Sequence, residues 1–422
     1  MRTFVMDKKK QEEYHFVKEK IKKMPADKKS MGARIGWAVL LAAIFGVVAA
    51  LVFSVVHPIF DKCFSSQNEQ VSLSEEENLS AEPEPEPEQV YITETQHMEL
   101  RDYQVLQNKL YAVGKEANKS VVSVTGIKNM QDWFESDYEA KGWGSGIIIA
   151  DTSQSFLIVT EKKLIADANE IQVTFYDDAT ASAQLLAYDG DTGIAVLNVD
   201  KGQLSEDTKA RAAAADLGNS SMVTQGAMVI AIGSPLGDAF SILTGNVTAT
   251  GHEVTAADGN YRVISTDISA TEDGSGALIN LDGKVVGLIM QSYSKQGHQN
   301  TVTALGITEI RDMVEKLSNG STPAYLGLEI STVTKSISEE YNLPEGVYIK
   351  NVRLDSPAME AGIQTGDVIV KIGGTDIQTG EQYETYIGNA KKGQIARITV
   401  KRMGADGIYQ EVVCEATLGV LN

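Results

Sequence analysis

The chain has 422 residues, 43% of them apolar, and a formal net charge of -20. That length is enough for two or three domains with cores of their own, and the negative charge argues against a nucleic-acid partner, whose phosphates it would repel. Cys63 and Cys414 are the two cysteines, too few for a disulfide framework.

In chain order, residues 1–34 form a basic lead carrying Lys8, Lys9, Lys10, Lys18, Lys20, Lys22, Lys23, Lys28, Lys29 and Arg34. Ile35 to Val56 then contains no charged residue and, as a helix, is long enough to cross a hydrocarbon layer of roughly 30 Å. Positive charge on the N-terminal side predicts a cytoplasmic N-terminus, with the bulk of the chain outside a cell membrane. The flank HPIFDKCF has no small-residue cleavage pattern, so an uncleaved anchor is expected rather than a signal peptide. Residues 57–103 read as an extracytoplasmic stalk: SEEENLSAEPEPEPEQ is acidic and alternates with Pro, a composition that stays extended.

Beyond the stalk the pattern changes to short apolar runs separated by Gly, Asp and Asn. SVVSVTGI, GSGIIIA, SFLIVT, EIQVTFYDD, TGIAVLNVD, AMVIAIG, RVISTDI, GALINLDG and KVVGLIM are β-branched and bounded by turn residues, which predicts strands. Their number and close spacing over residues 104–320 predict antiparallel barrels or sandwiches. A helix closes this region, with Ile307, Ile310, Met313, Val314 and Leu317 at helical spacing. Residues 321–422 form another unit, with strands at YLGLEIS, GVYIKNV and DVIVKIGG, short helices at SPAMEAG and GEQYETYIGNA, and a final hairpin. No metal-ligand cluster, phosphate loop or cofactor fingerprint is present, so no cofactor or metal is expected; GWGSG lacks the strand–turn–helix setting of a dinucleotide site.

GWGSGIII, TGIAVLNVD, AIGSPLGDAF, TGNVTATG and STDISATEDGSGALINLDGKVVGLI follow, in order, the strand and loop pattern of one family. This part of the chain resembles the HtrA/DegP-type trypsin-like serine proteases. The C-terminal unit resembles a PDZ domain, with YLGLEI in the carboxylate-binding loop and SPAMEAGIQTGDVIVKIGGTDI at its centre. The resemblance covers about residues 104–420. It implies a mainly β protein, a trypsin-like double β-barrel followed by an α+β PDZ domain, preceded here by the membrane helix. It also implies that a homotrimer formed through the barrels is open to this chain.

Family members activate a serine with a His base and an Asp that orients it, because a hydroxyl is a poor nucleophile until a neighbour takes its proton. Aligning the strands around IVTEKKLIADANEIQV puts Lys163 at the family's His position, and Gly193 stands where its Asp opens TGIAVLNVD. His15, His57 and His97 precede the barrels, while His252 and His298 fall in the second; the first barrel has none. The serine loop, Asp273-Gly274-Ser275-Gly276-Ala277, is one residue shorter than the family's. Matched from upstream, Ser275 is the candidate nucleophile; matched from NLDG, Gly274 takes that position and no serine remains. Glu272 and Asp273 would place negative charge where an oxyanion must develop. Glu161 and Lys162 beside Lys163 suggest a solvated turn.

Two functions stay open. The first is a membrane-anchored pseudoprotease that binds C-terminal or unfolded peptide segments in envelope quality control or signalling. The second is an active HtrA-type endopeptidase, with a Ser275/Lys163 dyad as one form. For the PDZ unit, the resemblance implies that Tyr325, Leu326, Gly327 and Leu328 aim backbone N–H groups at a peptide carboxylate, and that Tyr383 with Tyr386 or Ile387 sets side-chain preference.

Overall fold

The computed structural model describes residues 99–131, 137–295 and 297–421, all within one compact unit, Glu69–Asn422. The predicted membrane helix, the basic lead and nearly all of the stalk lie outside the described residues. No helix among the described residues is long and apolar enough to cross a membrane.

A helix, α1 (Leu100–Ala117), comes first. Its apolar residues Tyr103, Leu106 and Tyr111 stay exposed, while Leu110 enters the core and Val113 and Ala117 pack against it. A Cβ at Gly114 would lie 2.5 Å from the Ile242 side chain, so the missing side chain lets the helix lie against the second barrel. The stalk is expected to run to residue 103, and the helix begins within that stretch, at Leu100.

The first barrel closes from β1 (Val121–Gln131), β2 (Asp137–Asp151), β3 (Ser155–Glu161), β4 (Glu170–Thr174), β5 (Thr180–Tyr188) and β6 (Ile194–Asp200), in the order β1-β2-β3-β6-β5-β4. A short helix, α2 (Glu206–Arg211), leads to the second barrel: β7 (Met228–Ser234), β8 (Ser241–Ala256), β9 (Gly259–Ser269), β10 (Ser275–Ile279), β11 (Val285–Met290) and β12 (Thr301–Gly306). Its order is β10-β11-β12-β9-β8-β7.

Strand alternation explains how two barrels share a third core between them. In β3, Phe156 and Ile158 point into the first barrel, while Leu157 and Val159 face the seam. In β7, Val229 and Ala231 fill the second barrel while Ile230 and Ile232 face the seam. The period of two is the pleat itself, and both faces are buried, so the runs read as continuous apolar stretches. Each fully buried Ile or Leu side chain contributes about 1.5–3 kcal/mol. Helix α3 (Ile307–Ser318) caps the seam with Ile307, Ile310, Val314 and Leu317, the residues whose spacing predicted it.

The C-terminal domain has a sheet in the order β13-β14-β15-β17-β18, with β16 on β15. These strands are β13 (Leu328–Val333), β14 (Gly346–Val352), β15 (Val368–Ile372), β16 (Thr375–Asp376), β17 (Ile395–Met403) and β18 (Tyr409–Thr417). Helices α4 (Lys335–Tyr341), α5 (Pro357–Glu360) and α6 (Gly380–Asn389) complete it. Strand β13 is an edge of the sheet, and the Gly380 N–H at the start of α6 donates to Thr332 Oγ1 at 2.8 Å, which ties the helix to that strand. The Lys316 ammonium of α3 donates to the Gly388 carbonyl of α6, tying this domain to the barrels.

Candidate functional site

Strand β3 ends at Glu161, and Lys162–Leu164 turn as a single 3-10 element. Glu161 is 4% exposed because it still belongs to the strand, paired opposite Ile194. The expected solvated turn holds at Lys163, whose side chain is 38% exposed, but not at Glu161, which is inside; Lys163 Nζ lies 3.0 Å from its Oε2. Burial raises the Glu161 carboxyl above its usual range; Lys163 pulls it back, and Asp273 adds a smaller upward push. The other carboxylate oxygen of Glu161 is buried with no hydrogen-bond partner among the described residues. The Lys162 ammonium sits 3.5 Å from the centre of the Tyr188 ring. The Lys162 N–H donates to the Gly193 carbonyl at 2.7 Å. The backbone thus brings the Lys163 turn beside Gly193, which has a φ of +75° and no side chain to offer it.

Ser275 is the first residue of β10, paired with Ser234 of β7 and Met290 of β11. It is 1% exposed. Its Oγ accepts the Ser145 N–H at 2.8 Å, a contact across the seam between the barrels. Gly274 precedes it in a tight turn whose N–H donates inward to the Thr271 carbonyl at 2.9 Å. A Cβ at Gly274 would lie 2.5 Å from the Pro235 carbonyl oxygen, so the turn has closed over the space a side chain would need. At Gly276, φ is +131° and a Cβ would meet the Ile232 carbonyl at 2.1 Å, which only glycine tolerates.

A second site is better formed. Three successive backbone N–H groups at the start of β13 converge on a single carboxylate, and it belongs to the chain itself. Asp258, at the tip of the β8–β9 hairpin, accepts Leu326 N–H at 2.6 Å and Gly327 N–H at 2.8 Å on one oxygen. Its other oxygen accepts Leu328 N–H at 3.0 Å and the Tyr383 hydroxyl. The Asp258 N–H donates to the Leu328 carbonyl at 2.7 Å, the start of a strand-like pairing with β13. Desolvation outweighs these bonds and raises the Asp258 carboxyl above its ordinary range. Asp258 has a φ of +61°, a left-handed conformation that Asp adopts more readily than most residues.

The cradle is held from several sides. Tyr325 exchanges two backbone bonds with Gly419, each 2.9 Å. Gly327 has a φ of +92°, and a Cβ there would lie 2.4 Å from Ser356. Tyr383 and Ile387, four residues apart on α6, are both buried against the domain core. Tyr386 is turned elsewhere: its hydroxyl accepts from Gln394 and sits against Gly373. Around the hairpin tip, Asp191 accepts the Ala257 N–H at 2.6 Å and pairs with Arg353 at 3.5 Å. Glu384 accepts both the N–H and the side-chain amide of Asn260, at 3.0 and 3.1 Å. Asp191, Asp258 and the burial of Glu161 were not foreseen from the sequence. Each gains its meaning from distant partners, and no local motif marks them.

A trypsin-like peptidase domain model matches residues 144–288, and a PDZ domain model matches residues 324–409. Among curated proteins, a probable periplasmic serine endoprotease, DegP-like, of Hahella chejuensis is 34% identical over 273 residues, covering 63% of this chain and 55% of that protein. The serine protease Do-like HtrB of Bacillus subtilis is 29% identical over 311 residues, covering 67% and 66%. The chain spans little more than half the length of most curated relatives it matches. Among solved structures, the HtrA-type protease AlgW with tripeptide aligns with a TM-score of 0.52 at 25% identity, covering 74% of this chain and 97% of that one. With a trypsin-like peptidase domain followed by a PDZ domain, the chain is homologous to the DegP/HtrA serine proteases.

Proposed function

We propose that this is a pseudoprotease of the HtrA type whose working site is the PDZ groove, which captures segments ending in a free carboxylate. The observation that carries this is the cradle at Leu326, Gly327 and Leu328, where three N–H groups and a tyrosine hydroxyl already hold a carboxylate. A C-terminus presents the same two oxygens, and an extended peptide behind it can add to the edge of β13. Tyr383 and Ile387 are the side chains of α6 that support this wall.

The barrel cleft supports the inert half of the reading. Hydrolysis by a serine needs a proton acceptor at its hydroxyl and donors aimed at the oxyanion. The Lys163 ammonium is paired with Glu161, Gly193 has no side chain, and the Gly274 N–H is spent on Thr271. Ser275 is occupied as an acceptor for Ser145. In the register set by NLDG, Gly274 rather than Ser275 takes the nucleophile's place.

The further features belong to the same proposal. Ile35 to Val56 anchors the chain in a membrane with its N-terminus in the cytoplasm, residues 57–103 act as a stalk, and the barrels with the PDZ domain stand outside, serving envelope quality control or signalling. A second reading, an active endopeptidase, is favoured by the printed names of the relatives, which are serine proteases. Two assays on the purified protein separate them. Casein turnover should be absent, and equally absent in Ser275→Ala; serine-dependent cleavage would establish the second reading. Decapeptides with apolar C-terminal residues should bind with a free terminus and lose binding on amidation. Binding indifferent to amidation would remove carboxylate capture.

A further inference from the structure

The cradle that the proposed function assigns to a foreign C-terminus is filled by the protein's own hairpin. We propose that Asp258 is a built-in ligand that closes the PDZ groove, so that a peptide carboxylate enters only by displacing the β8–β9 hairpin tip. This rests on the groove reading above and adds to it a competitor, encoded in the barrel domain, that sets the threshold for binding.

The geometry makes the two ligands exclusive. Each backbone N–H carries one hydrogen, and those of Leu326, Gly327 and Leu328 are all directed at Asp258 within 3.0 Å. A second carboxylate in the same cradle would find no donors left and would meet like charge. The hairpin also imitates a peptide in its backbone: the Asp258 N–H donates to the Leu328 carbonyl at the edge of β13. What distinguishes it from a true terminus is that the carboxylate comes from a side chain and the chain runs on into Gly259, which forms the last cross-strand pair beside the turn with Ala256.

The tip is not a passive neighbour. It is held by a set of contacts that would be lost together if it withdrew. Ala257 N–H to Asp191 and the two Asn260 donors to Glu384 flank the Asp258 carboxylate on either side. Asp191 in turn pairs with Arg353, and Arg353 with Glu329 on β13, so the groove strand itself is linked to the loop that holds the tip. A ligand that takes the cradle therefore gains its own bonds while breaking these. Because the competitor is tethered, it acts at an effective concentration of roughly millimolar, well above that of a foreign peptide at ordinary concentrations. Peptide affinity is reduced by the fraction of time the cradle is closed. Displacement frees one anchor between the PDZ domain and the barrels, while the Lys316 contact to Gly388 lies on another element.

The test is a titration of a fluorescent decapeptide pool with apolar C-terminal residues into the full-length chain and into Asp258→Asn and Asp258→Ala, each with its amidated counterpart. Removing the competitor should tighten binding of the free-terminus pool at least tenfold in both variants. Equal affinity in the wild type and the variants, with amidation still abolishing binding, overturns the role of Asp258 and leaves the groove reading intact. Binding by none of the three proteins removes both. A second measurement guards against a folding artefact. Amide hydrogen exchange in the wild type should show Leu326, Gly327 and Leu328 protected without peptide and with it, while Asn260 loses protection as peptide saturates. In Asp258→Ala the three cradle amides should exchange freely until peptide is added. Asn260 remaining protected in the peptide-bound wild type would overturn displacement.

Discussion

Replacing Ser275 by alanine should cost stability rather than activity, the reverse of what the loop's appearance suggests. The Ser275 Oγ is the acceptor for the Ser145 N–H at 2.8 Å, and Ser275 is 1% exposed, so water cannot take over the bond. Alanine leaves a buried donor without a partner, which costs about 1–3 kcal/mol. At roughly 2–4 °C per kcal/mol for a domain of this size, the melting temperature should fall by about 2–12 °C. Thermal unfolding of the purified chain, followed by far-ultraviolet circular dichroism, reads this directly. A serine poised as a nucleophile behaves otherwise, since functional residues tend to sit at a cost to stability, and their removal commonly leaves it unchanged or raises it. An unshifted or higher melting temperature in Ser275→Ala, together with loss of any peptide cleavage, would refute the reading of Ser275 as a strut between the barrels.

Other consequences follow from the same contacts. In the PDZ domain, Arg402 donates twice to the buried Asp367, at 2.8 and 2.7 Å. Arg402→Met should destabilise the domain by roughly 3 kcal/mol, near the low end for a broken buried pair because the guanidinium is partly solvated; a chemical denaturation midpoint that does not move would contradict this. Burial lifts the Asp191 carboxyl to about 6, against the pull of the Ala257 N–H and Arg353. The folded state then holds this proton more tightly than the unfolded one, so the group's contribution is full below about pH 4 and is lost as pH rises through about 6. Asp191→Asn should remove that dependence: the difference in melting temperature between wild type and variant should change between pH 4 and 7, and a constant difference would show that Asp191 does not titrate in this window.

The strands were legible because β-branched runs bounded by Gly, Asp and Asn leave little choice of conformation, and α3 because Ile307, Ile310, Val314 and Leu317 repeat at the spacing of one helical face. Helix α1 was not: it fully buries only Leu110 and Gly114, and its apolar positions Tyr103, Leu106, Val113 and Ala117 are set among polar residues and lie exposed or only partly buried. The barrel cleft was partly legible. Lys163 and Gly193 could be placed by aligning strands, but the ion pair that occupies Lys163 depended on Glu161 being drawn inside by its pairing with Ile194. The position of Ser275 was open in sequence because a one-residue deletion can be taken up on either side; cross-strand pairing with Ser234 and Met290 seats it in β10. Asp258 had no local signal at all. Ala-Ala-Asp-Gly is an ordinary hairpin turn until the PDZ cradle, some seventy residues on, closes around it.

The central claim is that the cleft holds a hydroxyl nothing activates. Incubating the purified chain with a fluorophosphonate and mapping adducts by mass spectrometry tests it most directly, because the probe phosphonylates only a serine whose proton is being removed. Ser275 should remain unmodified over times that fully label a trypsin control, whereas a stoichiometric adduct on Ser275 would contradict the inert cleft.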